Sequence, residues 1–404
     1  MLDGLRLRFA TVAAAAPRAF WFVWWGTLIN RLGGFVVPLL TIYLTQERAL
    51  TVSDAGGVVA VFGAGQILAS IVGGQLSDRV GRKFTMLVSL FGGAIAMVGL
   101  GLVHDIAHIA IMVGVVGFVG EIYRPAVLAF VADVIPPAHR VDAYGLLYWV
   151  INLGFAIAAV VGGVVASFDF QILFFADAIT MAVFGVIVWR AVPESRPATL
   201  PKAERPAPSR SWVTDRVFVV YVLLALVMSL LPQQTAAPLS AHMTWQGFSP
   251  AGYGLVLAFN GLLIIIVQPL LTTWVAKRDA SRVIAVASLL YGAGMALHGL
   301  APNLVLHACA VMVWTLGEII ESPTRSALVA AMAPADARGR YQGALVLAWG
   351  CSTLLAPKLG TWLWEHESPN TLWFGCLGIG AVVAVALLVT APARRKRLVA
   401  SSAP

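Results

Sequence analysis

Charged side chains inside apolar sequence are the residues of this chain that can do chemistry. The segment LGEIIESPTR places Glu318, Glu321 and Arg325 within an apolar run of helix length, residues 304–332. By insertion scales each such charge costs about 2.5 to 3.5 kcal/mol at the centre of a membrane helix. Burial in an apolar environment favours the neutral form of a carboxyl group, so an acid at this depth can bind and release protons.

Spacing within the helix predicts which of these charges pair. Glu321 stands four residues before Arg325, the favourable order for an intrahelical ion pair. In the first half of the chain Glu121 stands three residues before Arg124 and is expected to pair likewise. Both pairs are predicted to lie at membrane depth.

Glu318 is predicted to carry a proton, because no basic residue stands three or four positions from it in the sequence. Arg31, in the first predicted helix, leaves an alternative open. If Arg31 pairs with Glu318, the proton site moves elsewhere, with Glu121 as the first candidate. The predicted proton-coupling residues are Glu318, Glu121, Glu321, Arg124, Arg31 and Arg325.

The composition indicates which elements must position these residues. The chain is 59% hydrophobic and 11% charged, with a mean hydropathy of +0.86, whereas a soluble domain has about 25% charged residues. Apolar runs of about 18 residues or more recur, each long enough to cross about 30 Å of hydrocarbon. We therefore predict an all-α integral membrane protein with twelve transmembrane helices. Their approximate bounds are 19–45, 54–75, 84–103, 106–133, 141–167, 169–191, 217–243, 251–275, 283–301, 304–332, 340–363 and 370–391.

Basic residues give the orientation. Nearly all the arginines and lysines outside the predicted helices fall on the side that holds both termini, and the opposite side holds only Arg48. This asymmetry predicts cytoplasmic termini and a place in the cell inner (plasma) membrane, with the lipid bilayer as a partner. Because the membrane explains the net charge of +8, no nucleic-acid partner is expected.

The chain divides into two similar halves. The Pro-rich, charged segment 193–215 predicts a flexible cytoplasmic linker between six-helix bundles at 1–192 and 216–404. Residues match between the halves at an offset of 197 or 198, so that Glu121 corresponds to Glu318 and Pro125 to Pro323. We interpret this as an internal duplication, with two pseudo-symmetric bundles.

The segment GGQLSDRVGRK, between predicted helices 2 and 3, resembles the signature G-x-L-x-D-R-x-G-R-K of the major facilitator superfamily. The resemblance implies alternating access to a substrate site between the bundles. It also implies that Asp78 and Arg82 hold the cytoplasmic face closed, with Asp133 as a further partner. The residues of this predicted latch are Gly74, Asp78, Arg79, Gly81, Arg82 and Asp133.

Predicted helix 5 carries a partial match to a second motif. GFAIAAVVGG resembles the G-x-x-x-G-P-x-x-G-G motif of drug:proton antiporters, with alanine in place of one glycine and of the proline. Small residues also allow close helix packing. The predicted helix-packing residues are Gly154, Ala158, Ala159, Gly162 and Gly163, with Pro357 and Gly360 at the repeat positions of helix 11.

A rival family resembles other residues. YWVINLG and the pair Arg124-Pro125 are similar to motifs of proton-dependent oligopeptide transporters, but their E-x-x-E-R signature here reads TLINR, and of it only Arg31 is kept. LGEI also resembles proton-driven multidrug facilitators. We therefore predict proton-coupled export of lipophilic or amphipathic small molecules, with import of peptide-like or other small polar solutes as the alternative.

The polar and aromatic residues at membrane depth are candidates for the substrate cavity. They are Asn30, Tyr148, Trp149, Asn152, Gln233, Gln234, Asn260, Gln268 and Trp314. We expect a monomer that uses the proton gradient and needs no cofactor or metal. No loop offers a catalytic cluster, so an enzyme is not expected.

Overall fold

The computed structural model describes residues 12, 15–136, 139–196, 212–275, 278–333 and 338–402. All regular structure in these ranges is helical, and it includes twelve helical spans that are long and apolar enough to cross a membrane. The predicted all-α fold with twelve transmembrane helices is confirmed.

Most of the spans are single helices, while spans 1, 4 and 7 are interrupted. The helices are Arg18–Gly33 and Val36–Gln46 in span 1, Val52–Arg79 in span 2, Arg82–Leu102 in span 3, Ile106–Val119 and Tyr123–Val134 in span 4, Arg140–Ala166 in span 5, Phe170–Ala191 in span 6, Arg216–Ser229, the 3-10 turn Pro232–Thr235 and Ala237–Trp245 in span 7, Pro250–Val275 in span 8, Ala280–Leu300 in span 9, Leu304–Met332 in span 10, Arg338–His366 in span 11 and Pro369–Ser402 in span 12.

Polar caps define where several spans begin. An N-cap side chain accepts a backbone N–H of the first helical turn, which satisfies a donor that has no intrahelical acceptor. Such caps precede spans 2, 4, 6, 7, 9 and 10, and they are Thr51, Asp105, Asp169, Asp215, Asp279 and Asn303.

Span 1 is interrupted two residues after Arg31. Its first helix ends at Gly33 and its second begins at Val36. Gly33 and Gly34 are adjacent, and each glycine destabilises a helix interior by about 0.5 to 1 kcal/mol relative to alanine. Pro38 weakens the same turn because its nitrogen has no hydrogen to donate to the Gly34 carbonyl.

Span 4 is interrupted at Glu121, between the helices Ile106–Val119 and Tyr123–Val134. Pro125 cannot donate a hydrogen bond to the Glu121 carbonyl. That carbonyl instead accepts the N–H of Arg124 at 3.2 Å, in a tighter turn. A predicted proton-coupling acid therefore lies in a helix break.

The contacts divide the chain into two compact units. Over their described residues, unit 1 comprises Met1–Thr199 and Ser240–Ile265, and unit 2 comprises Leu200–Leu239 and Ile266–Pro404. This grouping differs from the predicted bundles for Ser240–Ile265, which sequence order places in the second bundle. The physical reason is close packing of span 8 on span 5, described below. The bundle limits at 192 and 216 stay a prediction.

Small residues bring helix backbones together in each unit. In unit 1 a Cβ atom at Gly65 of span 2 would lie 2.5 Å from the Gly114 carbonyl oxygen of span 4. In unit 2 a Cβ at Gly292 of span 9 would lie 2.8 Å from the Cys376 carbonyl oxygen of span 12. Such contacts are closer than a side chain allows, and they maximise van der Waals packing between membrane helices.

The predicted flexible linker 193–215 makes local contacts at both ends of its described part. Glu194 accepts hydrogen bonds from the backbone N–H groups of Arg82 and Lys83, at 2.7 and 3.1 Å. At the other end Trp212–Thr214 forms a 3-10 turn that leads into span 7. The flexibility of the segment stays a prediction, and residues 197–211 lie outside the described part.

Candidate functional site

A hydrogen-bonded cluster lies inside unit 1 where span 1 is interrupted. Tyr123, at the start of the second helix of span 4, is 3% exposed. Its hydroxyl accepts hydrogen bonds from Asn30 Nδ2 at 3.0 Å and from Arg31 Nη2 at 2.8 Å. Tyr123 therefore holds the Arg31 guanidinium, a role that no spacing in the sequence signals.

Glu121 and Arg124 form the ion pair that their spacing predicts. Arg124 Nε lies 2.5 Å from Glu121 Oε2, with side-chain exposures of 45% and 16%. Gln66 of span 2 donates a further hydrogen bond to Glu121 at 3.3 Å. The carboxylate is thus held by spans 2 and 4 together.

Asp177 of span 6 joins this cluster, although it is missing from the predicted set. It is 7% exposed and interacts electrostatically with Arg31 and Glu121. A Cβ atom at Gly33 would lie 3.0 Å from Asp177 Oδ1, so the carboxylate sits against the backbone where span 1 breaks. An acid inside an apolar span is itself a signal of function, and that signal was available in the sequence.

Unit 2 holds the second charged group, on span 10. Arg325 Nε lies 3.2 Å from Glu321 Oε1, as the four-residue spacing predicts, and both side chains are largely buried, at 21% and 7% exposure. The Arg325 guanidinium also lies over the Trp349 ring, 5.7 Å from its centroid. Glu318, half-buried one turn before Glu321, interacts electrostatically with Arg325.

Three of the four charged residues predicted to form a latch, Asp78, Arg82 and Asp133, meet at the start of span 3. Arg82 Nη1 lies 2.9 Å from Asp78 Oδ1, and Arg82 Nε lies 3.0 Å from Asp133 Oδ2. The Asp133 side chain is 16% exposed, whereas that of Asp78 is 74% exposed. Because solvent screens exposed ion pairs, the Asp133 pair contributes most of the attraction.

Gly81 and Glu194 lie beside the cluster of Asp78, Arg82 and Asp133, which we call the charged corner. Gly81 has a φ of +129°, a conformation that glycine adopts without strain. A side chain at Gly81 would overlap the Glu194 carboxylate. Of the other predicted latch residues, Arg79 accepts a hydrogen bond from Arg196 through its carbonyl, and Gly74 has open space where a Cβ would stand.

Replacing Asp133 with asparagine is expected to loosen the start of span 3. The buried Arg82 side chain loses its better shielded carboxylate, so amide hydrogens at 81–85 should exchange faster, by about tenfold. Hydrogen–deuterium exchange with peptide mass analysis measures this. Asp78→Asn is the matched control and should change the exchange rates less, because its carboxylate is exposed. Equal effects of the two variants would contradict this assignment.

The predicted helix-packing residues of span 5 face two different neighbours. Cβ atoms at Gly154 and Gly162 would overlap Arg31 and Phe35 of span 1. A Cβ at Gly163 would lie 2.6 Å from the Pro250 carbonyl oxygen of span 8. Ala158 and Ala159 are buried, at 1% and 7% exposure.

Span 8 completes the contact with span 5. A Cβ at Gly254 would overlap the Ala159 carbonyl oxygen. The backbones of spans 5 and 8 therefore touch along one face. In span 11 of unit 2, a Cβ at Gly360 would overlap Gln234, and Pro357 accepts the hydroxyl of Thr361 at 2.6 Å.

Several of the predicted cavity residues make contacts inside their own unit. In unit 1 Asn152 donates to the Tyr148 carbonyl at 2.9 Å, and Trp149 stacks on Trp24 with 6.4 Å between centroids. Asn260 is 8% exposed. The cavity role of Asn152, Tyr148, Trp149 and Asn260 stays a prediction.

Unit 2 holds the remaining cavity candidates. Trp314 is 3% exposed and donates its indole N–H to His298 at 3.2 Å. Gln233 donates to Thr353, Gln234 donates to the Leu230 carbonyl at 3.0 Å, and Gln268 is half-buried. Their substrate role also stays a prediction. Among the residues that the structure describes, no three His, Cys, Asp or Glu side chains are grouped to hold a metal ion.

Comparison with known proteins gives the family. The model described as "Major Facilitator Superfamily" matches residues 23–239 and 217–403. The chain is 23% identical over 377 residues to the Na(+), Li(+), K(+)/H(+) antiporter of Planococcus maritimus, a match that covers 84% of this chain and 86% of that protein. It is 25% identical over 362 residues to multidrug resistance protein MdtH of Salmonella arizonae, covering 88% and 89%.

A solved structure agrees on the fold. The peptide transporter POT in complex with sulfate superposes with a TM-score of 0.81 and covers 96% of this chain and 99% of its own, at 16% identity. At that identity the likeness shows the fold alone. With the family model matched across both halves and twelve apolar spans observed, this chain is a multi-pass membrane transporter, not an enzyme, and it belongs to the Major Facilitator Superfamily.

Proposed function

We propose that this transporter exports lipophilic or amphipathic small molecules in exchange for protons, by alternating access. The observation that carries the proposal is the arrangement around Arg325, where Glu321 and Glu318 approach one guanidinium within an apolar span. Two carboxylates near one cation compete for it, and protonation of one relieves the competition. We assign the exchanged proton to Glu318, a half-buried acid one helical turn from the Glu321–Arg325 ion pair.

Two relatives support this proposal by what their names say of them. MdtH is named for multidrug resistance, and the Planococcus maritimus protein is named as a cation/H(+) antiporter. The matches cover more than four fifths of each protein, so they include the charged spans. The two names and the acids inside the apolar spans favour the same activity, which is proton-coupled export of drug-like compounds.

The setting of the transporter follows from the same proposal. The uneven distribution of basic residues favours the cell inner (plasma) membrane with both termini in the cytoplasm. The proposed energy source is the proton gradient, with no cofactor. The proposed functional form is a monomer in the lipid bilayer that binds its small-molecule substrate and protons.

Transport in proteoliposomes tests the proposed function. Purified protein is reconstituted, a pH gradient is imposed, and movement of ethidium, a lipophilic cationic dye, is followed by fluorescence. We expect dye to accumulate against its gradient only while the pH gradient lasts, and to stop when an ionophore collapses that gradient. Empty liposomes are the control for passive dye movement.

The same vesicles separate export from the alternative activity. Uptake of labelled dialanine that saturates and follows an inward proton gradient, without any dye movement, would replace the proposed function with peptide import. Dye movement that ignores the pH gradient would remove proton coupling and leave the substrate class standing.

A further inference from the structure

We infer that Asp177 is a proton-binding acid of unit 1, and that its protonation state decides whether Arg31 is held by Tyr123 or by Asp177. This inference rests on the proposed proton coupling and adds a residue that neither motif nor spacing assigns. The reaction is protonation of a carboxylate oxygen, with the proton taken from water and returned to it.

The first support is the burial of Asp177 beside an incompletely satisfied cation. Asp177 is 7% exposed, and Arg31 is the cation that interacts with it electrostatically. Arg31 donates through Nη2 to the Tyr123 hydroxyl, while Arg31 Nε has no hydrogen-bond partner among the described residues. Burying a donor without an acceptor costs about 1 to 3 kcal/mol, so a second acceptor for Arg31 is favourable.

The second support is the set of charges that face Asp177. Spans 1, 3 and 5 pack on span 6. Spans 3 and 5 carry charged residues only at their starts, so the charges that face Asp177 are Arg31 of span 1 and Glu121 of span 4. Glu121 is already paired with Arg124 at 2.5 Å. Arg31 is thus the cation available to stabilise an ionised Asp177.

The geometry provides two states for Arg31. In the structure Arg31 bonds Tyr123, and no direct ion pair within 4.0 Å joins it to Asp177, an arrangement that suits a protonated and neutral Asp177. An ionised Asp177 attracts the guanidinium away from the neutral hydroxyl, since charge-assisted hydrogen bonds are about twice as strong as neutral ones. Arg31 thus donates to Tyr123 of span 4 when Asp177 is protonated, and to Asp177 of span 6 when Asp177 is ionised.

The consequence for transport lies in the backbone next to the cluster. Asp177 Oδ1 sits against Gly33, and span 1 is interrupted from Gly33 to Val36. A shift of Arg31 toward span 6 therefore acts on the break in span 1, where the helix is least stable. Proton binding at Asp177 and the angle between the two helices of span 1 are thereby coupled.

The residues around Asp177 favour binding of a proton over binding of an alkali cation. Asn30 Oδ1 is a buried oxygen without a hydrogen-bond partner among the described residues, and a carboxylate with an amide oxygen can bind a small cation. Arg31 opposes the binding of either cation, but a hard metal ion also needs about six oxygen ligands, whereas a proton needs only one covalent O–H bond to the carboxylate. We commit to the proton for that reason.

Infrared difference spectroscopy between acidic and alkaline buffer tests the inference on the purified full chain. The wild-type protein should show the C=O band of a protonated carboxyl group, and Asp177→Asn should lose that band. Asp169→Asn is the matched control, because this exposed N-cap of the same span keeps its capping ability as asparagine. Asp177→Glu should restore a band, which separates titration from a loss of folding.

A second variant tests the exchange of Arg31. Tyr123→Phe removes the competing acceptor, so Arg31 should stay on Asp177 and move the midpoint of the band to more acidic pH, by about one unit. An unchanged band in Asp177→Asn, or an unchanged midpoint in Tyr123→Phe, would overturn the inference. So would a band that responds to Na⁺ at constant pH, which would assign the site to an alkali cation.

These measurements need no transported substrate. A protein that titrates at Asp177 and yet moves neither dye nor dialanine would contradict the proposed function and leave this inference intact. Proton-coupled dye transport that is unaffected by Asp177→Asn, together with an unchanged infrared band, would support the proposed function and contradict the inference about Asp177.

Discussion

Glu318→Gln should abolish accumulation of dye against its gradient, while dye binding and downhill exchange survive. A glutamine side chain resembles the protonated carboxyl group but cannot release a proton, so the transporter no longer gains energy from the pH gradient. The variant should also keep its fold, because Arg325 retains its direct ion pair with Glu321 at 3.2 Å. Accumulation and counterflow of ethidium in the same proteoliposomes measure the two activities.

Two controls isolate the proton from the loss of a charge. Glu367→Gln alters an exposed acid at the start of the loop between spans 11 and 12 and should transport like the wild type. Glu121→Gln alters the acid at the repeat position of span 4, which is the first alternative carrier. If Glu318→Gln still concentrates dye at the wild-type rate and Glu121→Gln does not, the proton carrier is Glu121.

Glu321→Gln is expected to lower the stability of unit 2, with a cost of about 3 to 5 kcal/mol, as for other broken buried ion pairs. The penalty arises because Arg325, with 21% of its side chain exposed, keeps its charge and loses its direct counter-charge. The Trp349 ring, 5.7 Å from the guanidinium, compensates only a fraction of this. Thermal unfolding in detergent, followed by near-ultraviolet circular dichroism, measures the change.

The matched variant for this prediction is in unit 1. Glu121→Gln breaks the ion pair with Arg124, whose side chain is 45% exposed, so water replaces much of the lost attraction. We expect a clearly smaller decrease in the melting temperature than for Glu321→Gln. A double variant, Glu321→Gln with Arg325→Gln, should recover part of the stability because no unpaired charge remains. A loss in Glu121→Gln as large as in Glu321→Gln would refute the role of burial.

Predictions from the sequence succeeded where the determining interaction is short in range. Span 10 was predicted at 304–332 and runs from Leu304 to Met332. Its insertion depends on a local apolar length, which any window of sequence shows. The pair Glu321–Arg325 was predictable for the same reason, since helix geometry alone brings residues four apart together. Glu121 and Arg124 are also near neighbours along the chain, and they meet across the tight turn in span 4.

The charged corner at the start of span 3 was predictable in a different way. The resemblance of the segment from Gly73 to Lys83 to a family signature indicated Asp78 and Arg82, and it implied Asp133 as a partner. The structure adds Glu194, which the composition of its segment assigned to a flexible linker. Its carboxylate accepts the backbone N–H groups at the start of span 3, a long-range contact that composition does not show.

By itself, then, the sequence determined the twelve spans and the ion pairs between residues three or four apart, both of which depend on neighbours along the chain. Only the tertiary structure decided that Arg31 bonds Tyr123, 92 residues away, and that the buried Asp177 interacts with Arg31 and Glu121. It also decided that Gly154 faces span 1 while Gly163 faces span 8. The physical reason is that a membrane helix is apolar on its lipid-facing side as well as its protein-facing side, so its hydropathy does not mark which face meets which neighbour.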